Sequence, residues 1–512
     1  MSLAKYLKKY KLEWLLVLAF NVLCHGSMLL GSSVGIDTEA LIFDKEGLYE
    51  GWLNTGRAGL VLLKLVMGVD TFHPYLAGIG TLFFVTLSCV LWTYLFYRVT
   101  GRESKCGIII FSCILSSHTI LTEQMYFKLQ SMEIAVCFCL VAGAVYLSHQ
   151  FALHRQWHYI LASLPLSIVA FGSYQAFNGL YLFGAVACFF LYYYFYYLKT
   201  EEDVNTRQLW FYILRFATCF FLAFTINQLL TVLFFNSSAY LESMSLWKTE
   251  SIGSCLLNIT MHMVKVLFGM GIFYAKTFAI YVVLLIVLCG SALFHFRTGK
   301  GRYLGVMVVA LLFLSPFFLT IVCGTEPVVR SQLVLPFVLS FMGYVLFLFD
   351  LGNGKHRKTI EVVFVVVGIL TVSMQLKHTL LLNYTDSVRY QRDVQTASAI
   401  MEDIERLQDG ESSYDLLFIG SRKSQLNASC MYGETIGYSL FDWDTEVEPR
   451  GYYSTRRIVG FMNTLGATYS YVPIQKVNEI TAQCEDMSNW PMEGSVRRLD
   501  HVIVVKLSDF GE

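Results

Sequence analysis

Along the first 381 residues of this 512-residue chain, long apolar runs alternate with short polar breaks. An α-helix rises 1.5 Å per residue, so about 20 apolar residues cover the roughly 30 Å of a bilayer's hydrocarbon. On that measure the pattern predicts eleven transmembrane helices, near 12–30, 75–97, 106–122, 130–149, 158–173, 177–197, 209–234, 277–296, 303–323, 331–350 and 359–381. The runs that begin near Cys106 and Tyr159 are short for a span. Two further apolar stretches, 58–72 with Lys64 and Asp70 and 253–272 with His262 and Lys265, read as helices lying at the interface rather than crossing it.

From residue 382 the pattern changes. Residues 387–408 read as a helix leading away from the membrane, Asp409-Gly410 as a turn, and Asp415–Ile419 and His501–Leu507 as strands. The expected architecture is a polytopic α-helical membrane module over 1–381, followed by a small soluble α/β domain over 382–512. The first apolar stretch lacks a small-x-small cleavage pattern and reads as an uncleaved helix. No internal repeat is visible, which disfavours the repeat-built transporters.

Composition agrees. Hydrophobic residues make up 55% and charged residues only 15%, against roughly a quarter charged in soluble domains, and the mean hydropathy is +0.53. With 38 basic and 38 acidic residues, the chain lacks the cationic excess that nucleic-acid binding requires. Lys and Arg are retained on the cytoplasmic side, and the cations fall in alternate loops. Lys5, Lys8, Lys9 and Lys11 precede the first helix; Arg98, Arg102 and Lys105, then Arg155, then Lys199 and Arg207, then Arg297, Lys300 and Arg302, then Lys355, Arg357 and Lys358 follow in every second loop. The N-terminus is thus expected inside a bacterial cytoplasmic membrane and the C-terminal domain outside. There Cys430 and Cys484 either pair as a disulfide or remain free thiols. The run Tyr192–Tyr197 reads as an interfacial belt.

The inner loops are short and carry no phosphate-binding glycine motif. The long loops face outward, away from cytosolic nucleotides, so a substrate reaching them is lipid-linked. The first, 31–74, holds Asp37, Glu39, Asp44, Glu46 and Glu50. A carboxylate close to the low-dielectric boundary gains the basicity a general base needs; a solvated acidic loop is the plain alternative. Trp52 offers a face for a sugar ring, and Arg57, within Gly56-Arg57-Ala58-Gly59, a fork for a phosphate. Arg330 is a second phosphate ligand unless it pairs with Glu326, and Lys128 a third. Glu123, Gln124, Tyr174 and Gln175 are candidates to bond sugar or acceptor hydroxyls, or to pack at the interface. Arg215, inside a span, can snorkel.

The basic N-terminus, the helix ending near His25-Gly26, the following Gly35-Ile36-Asp37-Thr38-Glu39 and the Gly56-Arg57 pair resemble the bacterial Gtr type II glucosyltransferase family. The C-terminal segments RRIVGFMNTLG and HVIVVKLSDF are similar to that family's end, extending the resemblance over essentially the whole chain. The resemblance implies a GT-C type glycosyltransferase that takes a hexose, glucose foremost, from a polyprenyl-phosphate carrier to a cell-surface polysaccharide. In a single inverting displacement, Asp37 or Glu39 would accept the acceptor's proton while Arg57, Arg330 and Lys128 hold the leaving phosphate. The scheme requires no cofactor, although acidic pairs can hold a divalent cation loosely. Its partners are the lipid-linked donor, the glycan acceptor and membrane lipids. A flippase for lipid-linked sugars and a polysaccharide polymerase are the rival readings.

Overall fold

The structure, a computed structural model, describes residues 1–199, 206–234, 245–295, 302–350, 355–408 and 414–510. The Asp409-Gly410 turn and the inner-loop cations Arg297 and Lys300 lie outside the described residues. In chain order the helices are α1 (Leu3–Lys9), α2 (Lys11–Leu29), α3 (Thr38–Phe43), α4 (Lys45–Asn54), α5 (Ala58–Met67), α6 (Pro74–Thr100), α7 (Lys105–Ser117), α8 (Thr119–Tyr126), α9 (Lys128–His154), α10 (His158–Phe171), α11 (Ala176–Phe195), α12 (Thr206–Phe234), α13 (Ile252–Phe268), α14 (Phe278–His295), α15 (Arg302–Leu314), α16 (Phe318–Cys323), α17 (Val334–Leu346) and α18 (Lys355–Glu405).

Among the described residues, seven helical stretches are long and apolar enough to cross a bilayer: α2, α6, α9, α11, α12, α15 with its continuation to Cys323, and most of α18. The pair α7 and α8, bent by 51° at Ser117-His118, makes an eighth if taken as one span. The remaining predicted spans form the shorter helices α10, α14 and α17. Outward faces stay apolar, with Leu15, Leu16, Phe221, Leu229, Val362 and Ile369 exposed, a surface suited to hydrocarbon and costly in water. The interior is aromatic: Trp92, Phe96, Phe111, Phe138, Phe337 and Phe341 interlock as tilted and edge-on pairs. Tyr193, Tyr194 and Phe195 belong to this interior rather than to an interfacial belt, and only Tyr196 of their run is exposed.

The predicted break between a last span and a separate helix is absent. α18 runs 51 residues without interruption, about 77 Å at the standard rise. Thr371, Gln375, Thr379 and Asn383, four apart, lie on one buried face, where Thr379 bonds the Ser117 carbonyl at 2.8 Å and Asn383 the Cys24 carbonyl at 2.6 Å. Thr379 and Asn383 thereby find partners on the neighbouring helices α7 and α2.

Beyond α18, strands β1 (Asp415–Ile419), β2 (Ser470–Tyr471), β3 (Val496–Leu499) and β4 (Val502–Lys506) form one sheet in the order β2-β1-β4-β3. β1 is parallel to β2 and β4, and β3 is antiparallel to β4. Helices α19 (Tyr452–Thr464) and α20 (Val477–Ala482) accompany it. Its core continues into the first long loop: Ile36, Leu41 and Trp52 join Ile436, Phe441, Ile458 and Phe461 in a single buried cluster. Of the two alternatives for Cys430 and Cys484, the structure shows the free thiols. Cys484 packs with Val472, Val477 and Met487 under the sheet, whereas Cys430 sits by Asn427 in a separate loop.

Candidate active site

The segment leaving α2 is pinned before it reaches its carboxylates. Lys128 Nζ donates to the Gly31 and Ser33 carbonyls at 2.9 and 3.0 Å and to Ser33 Oγ at 3.0 Å. Arg389, fully buried on α18, donates to the Val34 carbonyl at 3.0 Å and pairs with Asp386 and Asp393 at 2.5 and 3.2 Å. Gly35 lies so close to the Tyr126 ring that a Cβ would approach it to 2.9 Å. The chain then turns through Asp37 at φ 67, a left-handed conformation that aspartate tolerates better than most residues, and enters α3 with Glu39 on its first turn.

Further on, Asp44 caps α4 by accepting from the Gly47 amide at 3.2 Å. α4 carries Trp52, which stacks on Tyr49 at 5.5 Å. The Gly-Arg-Ala-Gly motif has a physical reason. Gly56 turns at φ +72, and Gly59 donates to the Gly172 carbonyl at 2.8 Å, where a Cβ would come within 2.3 Å of the Val169 oxygen. Arg57 is thereby fixed between a left-handed turn and a close helix contact.

These elements and α19 enclose a cavity of about 380 Å³, within the range of small-molecule sites. Of the residues singled out from the sequence, Asp37, Glu39, Trp52, Arg57, Tyr174 and Arg330 all line it. The acidic wall is organised by a residue the sequence did not nominate. Arg457 contacts Asp37 at 3.3 Å, holds Glu39 in a direct ion pair, and grips Asp444 at 2.6 Å. Its neighbour Arg456 pairs with Asp44, in space that a side chain at position 47 would occupy. Asp444, like Asp37, has positive φ.

The two loop carboxylates differ in environment. Glu39 has only 3% of its side chain exposed, whereas Asp37 keeps 44%. Burial pushes the Glu39 carboxyl up to about 7; Arg457 pulls against that and the like charge of Asp37 adds to it. Burial also works against the charge of Arg457, but Glu39, Asp37 and Asp444 outweigh it and hold the guanidinium above its usual value. The result is one fixed cation serving three carboxylates, with Glu39 poised to change protonation near neutrality.

Two further cations, Arg57 and Arg330, line the cavity. Arg57 lies over the Tyr174 ring at 5.2 Å, and its buried Nε has no partner among the described residues. A buried guanidinium N–H left unmatched beside a cavity fits an anionic ligand. Arg330 packs over Phe127 at 4.8 Å and reaches Thr435 Oγ1 at 3.3 Å and Glu434 at 3.8 Å. Glu326, its suspected partner, is taken instead by Lys265 and Tyr274, each at 2.6 Å.

Four nominated residues do not line the cavity. Lys128 is used on backbone carbonyls, as above. Glu123, buried, accepts the amides of Glu434 and Thr435 at 2.8 and 3.2 Å. Gln175 donates to the Thr55 carbonyl at 2.9 Å. Gln124 is fully buried away from it. Lys128, Glu123 and Gln175 are thus bonded to backbone groups of the loops around the site, and the Gln124 amide has no partner among the described residues. Arg215 caps α9 through the Ala152 carbonyl at 2.5 Å. Among the described residues, no group of three or more His, Cys, Asp or Glu is arranged to hold a metal ion.

Sequence reasoning missed Arg456, Arg457, Asp444 and Tyr453. The available signal was the adjacent arginines on an otherwise amphipathic helix, together with an acidic loop short of cations. The sequence profile described as Glucosyl transferase GtrII matches residues 26–349. That match takes in the whole first loop and Arg330 but ends before α18, so the C-terminal resemblance lies outside it. No curated protein and no solved structure matches the chain.

Proposed function

Because the chain belongs to the GtrII glucosyl transferase family, and is accordingly a glycosyltransferase, we propose that it transfers glucose from a polyprenyl-phosphate carrier to a cell-surface polysaccharide on the outer face of a bacterial cytoplasmic membrane. The observation that carries this reading is the lining of the cavity. Carboxylates clustered around Arg457 share it with Arg57 and Arg330. The aromatic residues Trp52 and Tyr174 belong to the same lining.

In this reading the lipid phosphate rests on Arg57 and Arg330, and the glucose ring lies against Trp52 and Tyr174. The acceptor oxygen attacks the anomeric carbon from the side opposite the phosphate. The C1–O bond to phosphate breaks with its electron pair passing to the phosphate oxygen, and the anomeric configuration inverts. The acceptor's proton goes to Asp37, which retains open surface on the cavity, and from there to water. Glu39 has almost none, so its part is indirect. When ionised it competes with Asp37 for Arg457, loosening the 3.3 Å contact between Arg457 and Asp37 so that Asp37 can accept from the hydroxyl. The leaving phosphate departs as an anion, so it needs neighbouring cations more than a proton donor.

The experiment uses the full chain in vesicles with radiolabelled undecaprenyl-phosphate glucose and acceptor polysaccharide. Label should move to the acceptor, and Asp37→Asn should reduce transfer by about 10²–10⁴-fold, the usual worth of a general base. Redistribution of donor between leaflets without consumption would make the protein a flippase instead. Full activity of Asp37→Asn would remove Asp37 from the mechanism.

A further inference from the structure

A second cavity, of about 190 Å³, opens where α18 meets the segment Gly271–Thr277 ahead of α14. It is separate from the reactive one. α8 lies between them: its first residue, Thr119, lines this cavity, while Phe127, just past its last turn, lines the other. The lining carries one sign of charge. Lys276 and Lys377 supply it, no Asp or Glu lines the cavity, and His378 beside them is held towards its neutral form by burial and by the two lysines. Both lysines are exposed, and neither has an ion-pair or hydrogen-bond partner among the described residues.

Snorkelling lysines at helix ends would explain the charge but not Gln375. This residue is only 5% exposed. Its Oε1 accepts from Ser117 Oγ at 2.9 Å, which orients the amide, and its buried Nε2 has no partner among the described residues. A buried amide donor left unmatched is destabilising, and here it belongs to a residue that lines the cavity with the two unpaired lysines. An acceptor-rich anion would satisfy all three. Met374 in the lining is exposed and apolar, and so are Met270, Ile280, Leu370 and Leu380, which stand within three residues in sequence of lining residues, a surface suited to acyl chains rather than to water.

We propose that this cavity is a second phosphate-binding site, filled by the headgroup of an anionic lipid whose chains lie along that apolar surface. Lys276 and Lys377 hold the phosphate oxygens, and the Gln375 amide donates to one of them. The site does not depend on the glycosyl-transfer reading, since none of its residues lines the reactive cavity.

Native mass spectrometry of the full-length protein released from nanodiscs provides the test, with phosphatidic acid as probe, phosphatidylcholine as the neutral comparison and inorganic phosphate as the tail-less one. Wild type should retain one phosphatidic acid in preference to phosphatidylcholine. Lys276→Ala/Lys377→Ala should lower that retention at least tenfold, Lys276→Arg/Lys377→Arg should keep it, and Lys5→Ala/Lys8→Ala, at an exposed pair elsewhere, should leave it unchanged. Gln375→Met should weaken retention with both lysines present. Competition by millimolar inorganic phosphate would assign the site to free phosphate, and no competition to the lipid. Equal retention by wild type and the double alanine variant would overturn the proposal.

Discussion

Replacing Glu39 by Gln tests the electrostatics of the reactive cavity most directly, because the substitution keeps shape and removes only a titration. In the folded chain the Glu39 carboxyl sits at about 7, raised by burial from an ordinary 4.5. Below pH 4.5 it is protonated in both folded and unfolded chains and contributes nothing to the pH dependence. Between 4.5 and 7 the unfolded chain ionises while the folded one holds its proton, so stability falls as pH rises, by about 1.4 kcal/mol per unit at the steepest. Integrated from pH 5 to pH 8, the loss is about 2 kcal/mol, and it levels off above 7. Glu39→Gln removes this slope, so its stability relative to wild type should improve by about 2 kcal/mol on going from pH 5 to pH 8. Denaturant unfolding of purified protein in nanodiscs, read by tryptophan fluorescence at both pH values, measures it. The same titration should appear in catalysis. Wild-type kcat/KM for the donor should rise through a limb near pH 7 as Glu39 ionises and takes up Arg457, and Glu39→Gln should lose that limb while retaining reduced transfer. An unchanged stability slope together with an unchanged limb would refute the assignment of the near-neutral titration to Glu39.

Other residues give sharper local expectations. Arg57→Lys keeps the charge but loses the fork and the stacking on Tyr174, so kcat/KM for the polyprenyl-phosphate donor should fall about 10–100-fold, the worth of one charge-assisted hydrogen bond, with acceptor KM unchanged in a steady-state assay. Lys64 and Glu133 form a pair at 2.8 Å with both side chains nearly inaccessible. Lys64→Met should destabilise by about 3–5 kcal/mol by stranding the carboxylate, and Lys64→Met/Glu133→Leu should recover most of it in thermal unfolding. Gly433→Ala would place a Cβ 1.7 Å from a Glu123 oxygen, displacing the loop that carries Glu434 and Thr435. Limited proteolysis should then cut residues 421–439 faster than in wild type, and Arg330, which leans on Thr435, should lose part of its function.

The apolar runs were legible because hydrocarbon sets both their length and their composition, and the acidic loop because five carboxylates follow one helix so closely. Trp52, Arg57, Tyr174 and Arg330 were legible as types suited to a phosphate-sugar and are brought to one cavity. Lys128, Glu123 and Gln175, proposed for ligand contact, bond backbone groups instead of lining the cavity. A polar side chain near a helix end looks the same in sequence whether it meets a ligand or an orphan backbone group, and burial decides in favour of the backbone. The partners of Arg457 could not be read from spacing, because they lie 420 and 418 residues away and charge complementarity at that separation leaves no periodic trace; only the arginine pair itself and the cation-poor acidic loop hinted at it. The uninterrupted α18 was hidden by its polar residues, whose four-residue spacing marks a buried face more than a loop.

The buried charges explain why loop and C-terminal segment meet in one geometry. A hydrophobic contact would supply similar stability without fixing direction, whereas a buried ion pair contributes little net stability and strong orientation. Arg389 bonds Val34 in the loop, and its partner Asp393 accepts from Ser424 and Ser439 at 2.8 and 2.7 Å and from the Leu440 amide at 3.0 Å. One turn and a half of α18 thus holds both halves of the cavity. Arg457 then joins them again at Asp37 and Glu39. Between these two anchors the chain passes through the left-handed Asp37, a conformation that persists only where the surroundings over-determine it. Neither half can shift without breaking a buried charged bond, so the acidic wall is set before any substrate arrives, and its angle to Arg57 is a property of the fold.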